Sequence, residues 1–429
     1  MRPTGSIIAY WMLAIFPALM TDAAHAEPQL FRVSTSNYDV ATDVSMDLTR
    51  RVAAEMEGIH AEYMRRFGRF ANPAGARSLV YVFAHEEEYL NLGGYALKGT
   101  GGFFNAGRGH LAAYIGDRTL PQLFRILYHE GFHQFMHARV SRDCPLWLNE
   151  GMAEYYGAAL PTSKGYETGD VAPYRIEELK ECLKGDKFAN WSRFLLITSE
   201  EWHAARETPG QAGVNYLQAW SMVHFLIHGR NGKLTPVLDR YIDSLKRGAS
   251  KGESMRNAFG SDMLRIEDEW KDFIEGMETS PRYVCWDNLE FVATILSVRT
   301  RAGGRPKTFE EMIDGVPIER LEGPLKLTTC YGTEMSASTR AELEAICRCP
   351  LDKNAGKEKA RGKYSYIFSF EDGPDKPPAI VCPCHGLITY EAKLNAREDG
   401  SFYVVVSEGS GKARAIPFEK AQGGKPGRK

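Results

Sequence analysis

HEGFH, His129 to His133, followed across a short loop by PLWLNEGMAEYY, Pro145 to Tyr156, is the stretch from which the rest of the chain is read. Two imidazoles four residues apart stand about one turn apart on one face of a helix, so both reach one tetrahedral ion at Zn–N distances of about 2.0–2.1 Å. Glu130 projects to one side of that pair, where a carboxylate holds a water without becoming a ligand, the position of a general base. The run has the pattern of a helix: Phe124, Tyr128, Gly131 and Phe135 form an apolar stripe at spacings of four, three and four, and Pro121 suits a first turn. A catalytic zinc takes three protein ligands and leaves its fourth position to water. The third candidate is Glu150, on a second helical segment expected from about Trp147 to Leu160, and Glu154 lies one turn further on, placed to hold a ligand imidazole. His137 continues the row, but a straight helix carries it about 6 Å along the axis per turn, so three histidines at this step do not converge on one ion. The metzincin pattern HExxHxxGxxH fails as well, since Met136 and Arg139 stand where glycine and histidine belong.

These residues resemble the gluzincin metallopeptidases: HExxH, then sixteen residues, then a glutamate inside WLNEGxA. Zinc aminopeptidases of that group carry a similar WLNEG segment and thermolysin-type members a similar Asn-Glu pair, here Asn149-Glu150. The chain is also similar to the peptidase MA-like domains of bacterial secreted proteins, which add a YxQAW helix matched by Tyr216, Leu217, Gln218, Ala219 and Trp220. The likeness spans residues 36 to 250 or so. It implies Zn2+ on His129, His133 and Glu150, Glu130 as base and proton shuttle, Asn149 and Glu154 behind the ligands, and hydrolysis of peptide bonds.

The resemblance also assigns Gly101–Asn105 and His110–Tyr114 to a substrate rim, where an extended peptide adds to a strand; Gly101, Gly102, Phe103, Asn105 and Ala112 are its expected contacts. A core hairpin with a flexible turn is the competing reading of the same residues. Tyr216 falls 66 residues after Glu150, close to where related enzymes place the donor to the tetrahedral oxyanion, a contact that contributes a few kcal/mol to the barrier. Core packing is the other role open to Tyr216. His224 and His228 repeat the four-residue spacing without an accompanying acid and read as packing or pocket-lining residues. An aminopeptidase needs acids for the substrate's free amine, and none stands near Gly101–Asn105, which favours endopeptidase action.

At 429 residues, 43% hydrophobic and 25% charged, the chain has ordinary globular composition and room for two or three domains. A net charge of −2 gives no electrostatic reason to expect nucleic acid or an anionic membrane surface. Arg2 precedes an apolar run, Ile7 to Met20, that is followed by Ala24-His25-Ala26; this predicts a signal peptide over 1–26 and an exported protein, periplasmic or secreted, with no stable membrane insertion after cleavage. Export favours disulfides among the eight cysteines, and the split of two before residue 281 and six after it suggests that Cys144 pairs with Cys182. Cys347, Cys349, Cys382 and Cys384, in CRC and CPC pairs, form disulfides or a structural zinc site.

The expected fold class is α+β: a mainly helical zinc-peptidase domain over 27–280 with a small mixed sheet bordering its cleft, then a smaller cysteine-rich α+β accessory domain over 281–420 and a disordered tail over 421–429. Within it, residues 27–35 read as a leader, Asp39 to Phe70 as one long helix with Val44, Leu48, Val52, Met56 and Ile59 on its apolar face, and SLVYVFA (78–84) as a buried strand. The glycines of GTGGFFNAGRG make no phosphate loop, because neither GxxxxGK[ST] nor GxGxxG occurs. The partner expected is a peptide or protein substrate. The competing function is that of a cell-envelope binding protein that keeps the peptidase fold without catalysis.

Overall fold

A computed structural model describes residues 29–416 apart from short internal stretches, the longest of them 348–368. The signal peptide and the tail expected from the sequence lie outside the described residues, as do Cys330, Cys349 and Cys384. The fold is α+β, mainly helical, with a small mixed sheet.

That sheet comprises β1 (Phe31–Ser34), β2 (Tyr38–Thr42), β3 (Ser78–Phe83), β4 (Gly102–Asn105) and β5 (His110–Tyr114), in the order β1-β2-β3-β5-β4. β2, β3 and β5 run parallel, and antiparallel β1 and β4 close the two edges. Period-two alternation divides the side chains between two cores. Val80, Val82, Leu111 and Ala113 face the main core, which holds α1 (Met46–Phe67) and α3 (Leu120–Phe135). Tyr81, Phe83, Phe103 and Ala112 face a smaller cluster with Tyr89 of α2 (Glu86–Gly93).

Two N-terminal expectations are corrected. The first long helix begins at Met46, not Asp39, because Ser45 caps it by accepting a hydrogen bond from the Leu48 amide at 3.1 Å. The residues before the cap form β2, and Phe31–Ser34 pairs with it as β1 from Phe31↔Thr42 to Ser34↔Asp39, so this segment is a sheet edge rather than a leader. Leu48, Val52, Met56 and Ile59 are buried as the stripe requires, whereas Val44 lies outside the helix and is exposed.

After Phe135 the helix loosens into a five-residue π-turn, Met136–Val140, and α4 (Leu146–Gly157) follows. β6 (Leu160–Thr162) and β7 (Gly165–Glu167) form a small hairpin, succeeded by α5 (Pro173–Lys184), α6 (Trp191–Phe194), α7 (Ser199–Ala204), α8 (Gln211–His228), α9 (Thr235–Lys246), α10 (Lys251–Phe259) and α11 (Met263–Glu275). α4 lies between α3 and α8, and Gly151 permits its close approach to α8. A Cβ on Gly151 would stand 2.4 Å from the Ala219 carbonyl oxygen of α8, and one on Gly157 would stand 3.5 Å from Cβ of His129. Gln134 fastens α3 to the sheet, its amide donating to the carbonyls of Leu79 and Gly109 at 3.0 Å each.

Cys144 and Cys182 do not form the expected disulfide; both thiols are free. Cys144 is seated against the Pro145 carbonyl and near Glu150, while Cys182 sits on α5 among Glu178, Glu181 and Lys187, so the two have different surroundings. A second hydrophobic cluster begins at Cys285, past the last residue of the main core, Met277. It is built on α12 (Pro281–Arg301) with α13 (Phe309–Asp314), the hairpin β8 (Leu325–Thr328) and β9 (Glu334–Ala337), and α14 (Arg340–Ile346). Beyond these, β10 (Ser369–Gly373), β11 (Lys376–Cys382), β12 (Tyr390–Ala396), β13 (Phe402–Glu408) and β14 (Lys412–Ile416) pair in sequence order as an antiparallel meander. Among the described residues, no helix is long and apolar enough to cross a membrane.

Candidate metal centre

α3 carries His129 and His133 on the face turned toward α4, and α4 returns Glu150 to them. Nε2 of His129 and Nε2 of His133 are 3.2 Å apart, and Glu150 Oε2 lies 3.6 Å from the first and 3.5 Å from the second. Ligands about 2.0–2.1 Å from a tetrahedral ion are separated by roughly 3.3–3.4 Å. The three edges therefore bracket the value that a tetrahedral cation demands, and among the described residues this trio forms a group able to hold a metal ion. The chemistry of the third atom agrees, because Glu150 Oε2 is buried without a hydrogen-bond donor and faces the two imidazoles, where a cation would satisfy it.

Glu154, one turn beyond Glu150, addresses the other side of His129: its Oε1 is 3.4 Å from Nδ1. A carboxylate there fixes the ring so that Nε2 presents its lone pair to the ion. The opposite oxygen of Glu154 accepts from Nη2 of Arg175 at 2.8 Å, and the Arg175 guanidinium lies over the ring of Trp220, 4.6 Å from its centroid. Burial pushes both glutamates up. The imidazoles outweigh it at Glu150, holding its carboxyl down to about 2, and His129 with Arg175 holds Glu154 well below the usual carboxylate range. Burial likewise pulls both histidines down, and the facing carboxylates overcome it and raise them. The cluster thus favours positive charge on its imidazole side, met by protons or by a metal ion.

The site opens into a cleft of about 340 Å³ whose walls include His129, Glu130, Glu154, Tyr216, Gly101 and Gly102. Glu130 stands under β4, the sheet edge: a Cβ on Gly102 would approach its Cγ to 3.1 Å and Ile126 to 2.6 Å, so only glycine lets the strand pass this close. Tyr216, near the start of α8, reaches the same cleft, with its ring edge-on to Trp202 at 5.2 Å.

The other expected site residues are placed differently. Phe103 and Ala112, opposite each other in the β4–β5 ladder, point their side chains into the small core beneath α2, apart from the trio. Asn105 turns the hairpin, its Oδ1 accepting from the Arg108 amide at 3.0 Å. Asn149 precedes Glu150, and its buried Oδ1 has no hydrogen-bond partner among the described residues. His137 packs on Phe104 with ring centroids 5.5 Å apart, apart from the trio. His224 and His228 are structural: their Nε2 atoms meet the Gly169 carbonyl and the Tyr155 hydroxyl, both at 2.9 Å, tying the loop after β7 to α4 and α8. Arg175 was not singled out by sequence, because a basic residue near a helix start carries no ligand signature; only the fold brings it to Glu154.

A family model described as "Protein of unknown function (DUF1570)" matches residues 125–244, from within α3 to within α9, and so takes in the whole trio, Glu130, Glu154, Arg175 and Tyr216. No curated protein matches the chain.

Proposed function

We propose that this protein is an exported zinc-dependent metallopeptidase that hydrolyses peptide bonds, with endopeptidase action favoured. The observation that carries the reading is the convergence of His129 Nε2, His133 Nε2 and Glu150 Oε2 within 3.2–3.6 Å of one another, beside a cleft lined by His129 and Glu130. Zinc is the ion this donor set fits, two imidazoles and one carboxylate from consecutive helices, and when bound it supplies Lewis acidity that acidifies water and polarises a carbonyl.

The chain's own groups account for the remaining steps. Glu130 takes a proton from the attacking water and delivers it to the leaving amine, a role worth about 10²- to 10⁴-fold in rate. Glu154, braced by Arg175, keeps His129 in the tautomer whose Nε2 is free to ligate. The edge strand β4 offers its outer backbone for pairing with an extended substrate, and glycines at 101 and 102 bring that strand down onto Ile126 and Glu130. We assign to Tyr216, which lines the cleft, the role of donor to the developing oxyanion.

A peptide-library digestion by the zinc-loaded full chain, run beside Glu130→Gln, tests this reading. It requires cleavage by the wild type and a loss of at least about 100-fold in the variant with its metal content retained. Equal cleavage by both removes Glu130 from the mechanism. Failure of both to cleave while both hold zinc favours the non-catalytic binding protein.

A further inference from the structure

We propose that a second cavity, formed by the loop after α5 and by α6, α7 and the start of α8, binds an organic acid with an apolar body. The carboxylate is met by Lys187 and Arg193, and the body by Phe188, Phe194 and Ile197. This cavity shares no lining residue with the metal cleft, and the proposal stands apart from the peptidase reading.

The cavity measures about 500 Å³, inside the range of about 300–1,000 Å³ usual for small-molecule sites. Its walls are fastened before any ligand arrives. Ala189, in the loop, is gripped by the buried carboxamide of Gln218 on α8, whose Oε1 accepts from the Ala189 amide at 3.0 Å and whose Nε2 donates to the Ala189 carbonyl at 2.5 Å. The first amide of α6, on Trp191, donates to Glu267 Oε2 at 3.1 Å, and a capping box of Thr198 and Glu201 starts α7. Phe194 is almost wholly buried, and Phe188 and Ile197 are half-buried, so the three present a fixed apolar surface.

Polar groups border that surface. Asn215 of α8 is 6% exposed; its Oδ1 accepts from Gln211 Nε2 at 3.2 Å, while its Nδ2 has no acceptor among the described residues. A buried amide donor in that state is stabilised by a ligand oxygen. Lys187 and Arg193 line the cavity with exposed side chains, and neither forms an ion pair among the described residues. The acid of the same wall, Glu201, is turned to its own helix, its Oε2 accepting from the Thr198 amide at 2.9 Å. Two cations against one anion leave the lining positive, which complements a carboxylate. An apolar body, oxygen acceptors and one negative charge are shared by a fatty acid and by a short peptide that ends in an apolar residue with a free C-terminus.

Isothermal titration calorimetry on the full chain carrying Glu130→Gln, so that no peptide is cut, tests this with two acids, octanoate and acetyl-Leu-Leu. Each is run beside its uncharged amide. At least one acid is expected to saturate one site per chain and to bind about three- to tenfold more tightly than its amide, the gain that two exposed cations supply. The acid that saturates identifies the source. Replacing both cations, Lys187→Gln with Arg193→Gln, is expected to bring the acid-to-amide ratio to near one. Ala204→Trp, which adds bulk from an exposed position in the wall, is expected to abolish binding, with circular dichroism showing both variants folded. No saturable binding by either acid, equal affinity of acid and amide, a ratio unchanged without the two cations, or binding that survives Ala204→Trp overturns the proposal.

Discussion

Glu154 Oε1 sits 3.4 Å from Nδ1 of His129, on the side of the ring opposite the nitrogen that faces Glu150, and its second oxygen is occupied by Arg175. The His129 ring is thereby clamped between two carboxylates from one helix, four residues apart, with an arginine from the next helix behind the outer one.

Replacing Glu154 with alanine removes the partner that sets the tautomer of His129. Zinc affinity measured by chelator competition is expected to fall about 10- to 100-fold. Arg175→Ala moves affinity in the same direction by less, because Glu154 remains but is free to turn. Affinity unchanged in both variants contradicts the clamp.

Gly151→Ala tests the α4–α8 crossing that presents Glu150. The added methyl meets the Ala219 carbonyl at 2.4 Å and Val223 at 2.8 Å, and backbone cannot step aside as a flexible side chain can. A loss of about 1–3 kcal/mol is expected in chemical denaturation of the full chain. Gly131→Ala costs less, since the atom it meets, at 2.8 Å, is the terminal methyl of Met56.

Acid stability reports on His224. Burial lowers its pKa to about 3, with the neighbouring His228 adding to the effect, while in the unfolded chain it titrates near the ordinary value of about 6.5. A depressed folded value means that the unfolded chain takes up a proton that the fold refuses. Stability is therefore complete above about pH 6.5 and declines as pH falls from there toward 3, with a slope of at most about 1.4 kcal/mol per pH unit from this residue. His224→Gln, which retains a donor for the Gly169 carbonyl, is expected to flatten the pH dependence of urea unfolding between pH 6 and roughly 4. An unchanged slope contradicts the assignment.

The α+β class and the helix holding HEGFH were legible because their signals are local: a four-residue histidine spacing, an apolar stripe and a second helix with its own WLNEG segment. Glu150 and Glu154 were legible for the same reason, being one turn apart on a segment with its own motif. Phe103 and Ala112 were misplaced because strand periodicity reveals two faces without saying which of them α3 covers, and Gly102, not Phe103, is the residue over Glu130. Asp39–Thr42 reads as the start of a helix because Val40 lies four residues before Val44, until the Ser45 cap is recognised. The expected Cys144–Cys182 bond came from counting, and counting carries no geometry. Arg175 acquires its role only through tertiary placement, which no motif encodes.

The central claim is that one divalent cation is held by His129, His133 and Glu150, and zinc titration of the purified, metal-free full chain addresses it most directly. The account predicts one tightly bound ion per chain in the wild type, and loss of that binding in His133→Ala and in Glu150→Gln with both variants still folded by circular dichroism. No stoichiometric binding by the wild type, or binding that survives both substitutions, contradicts it.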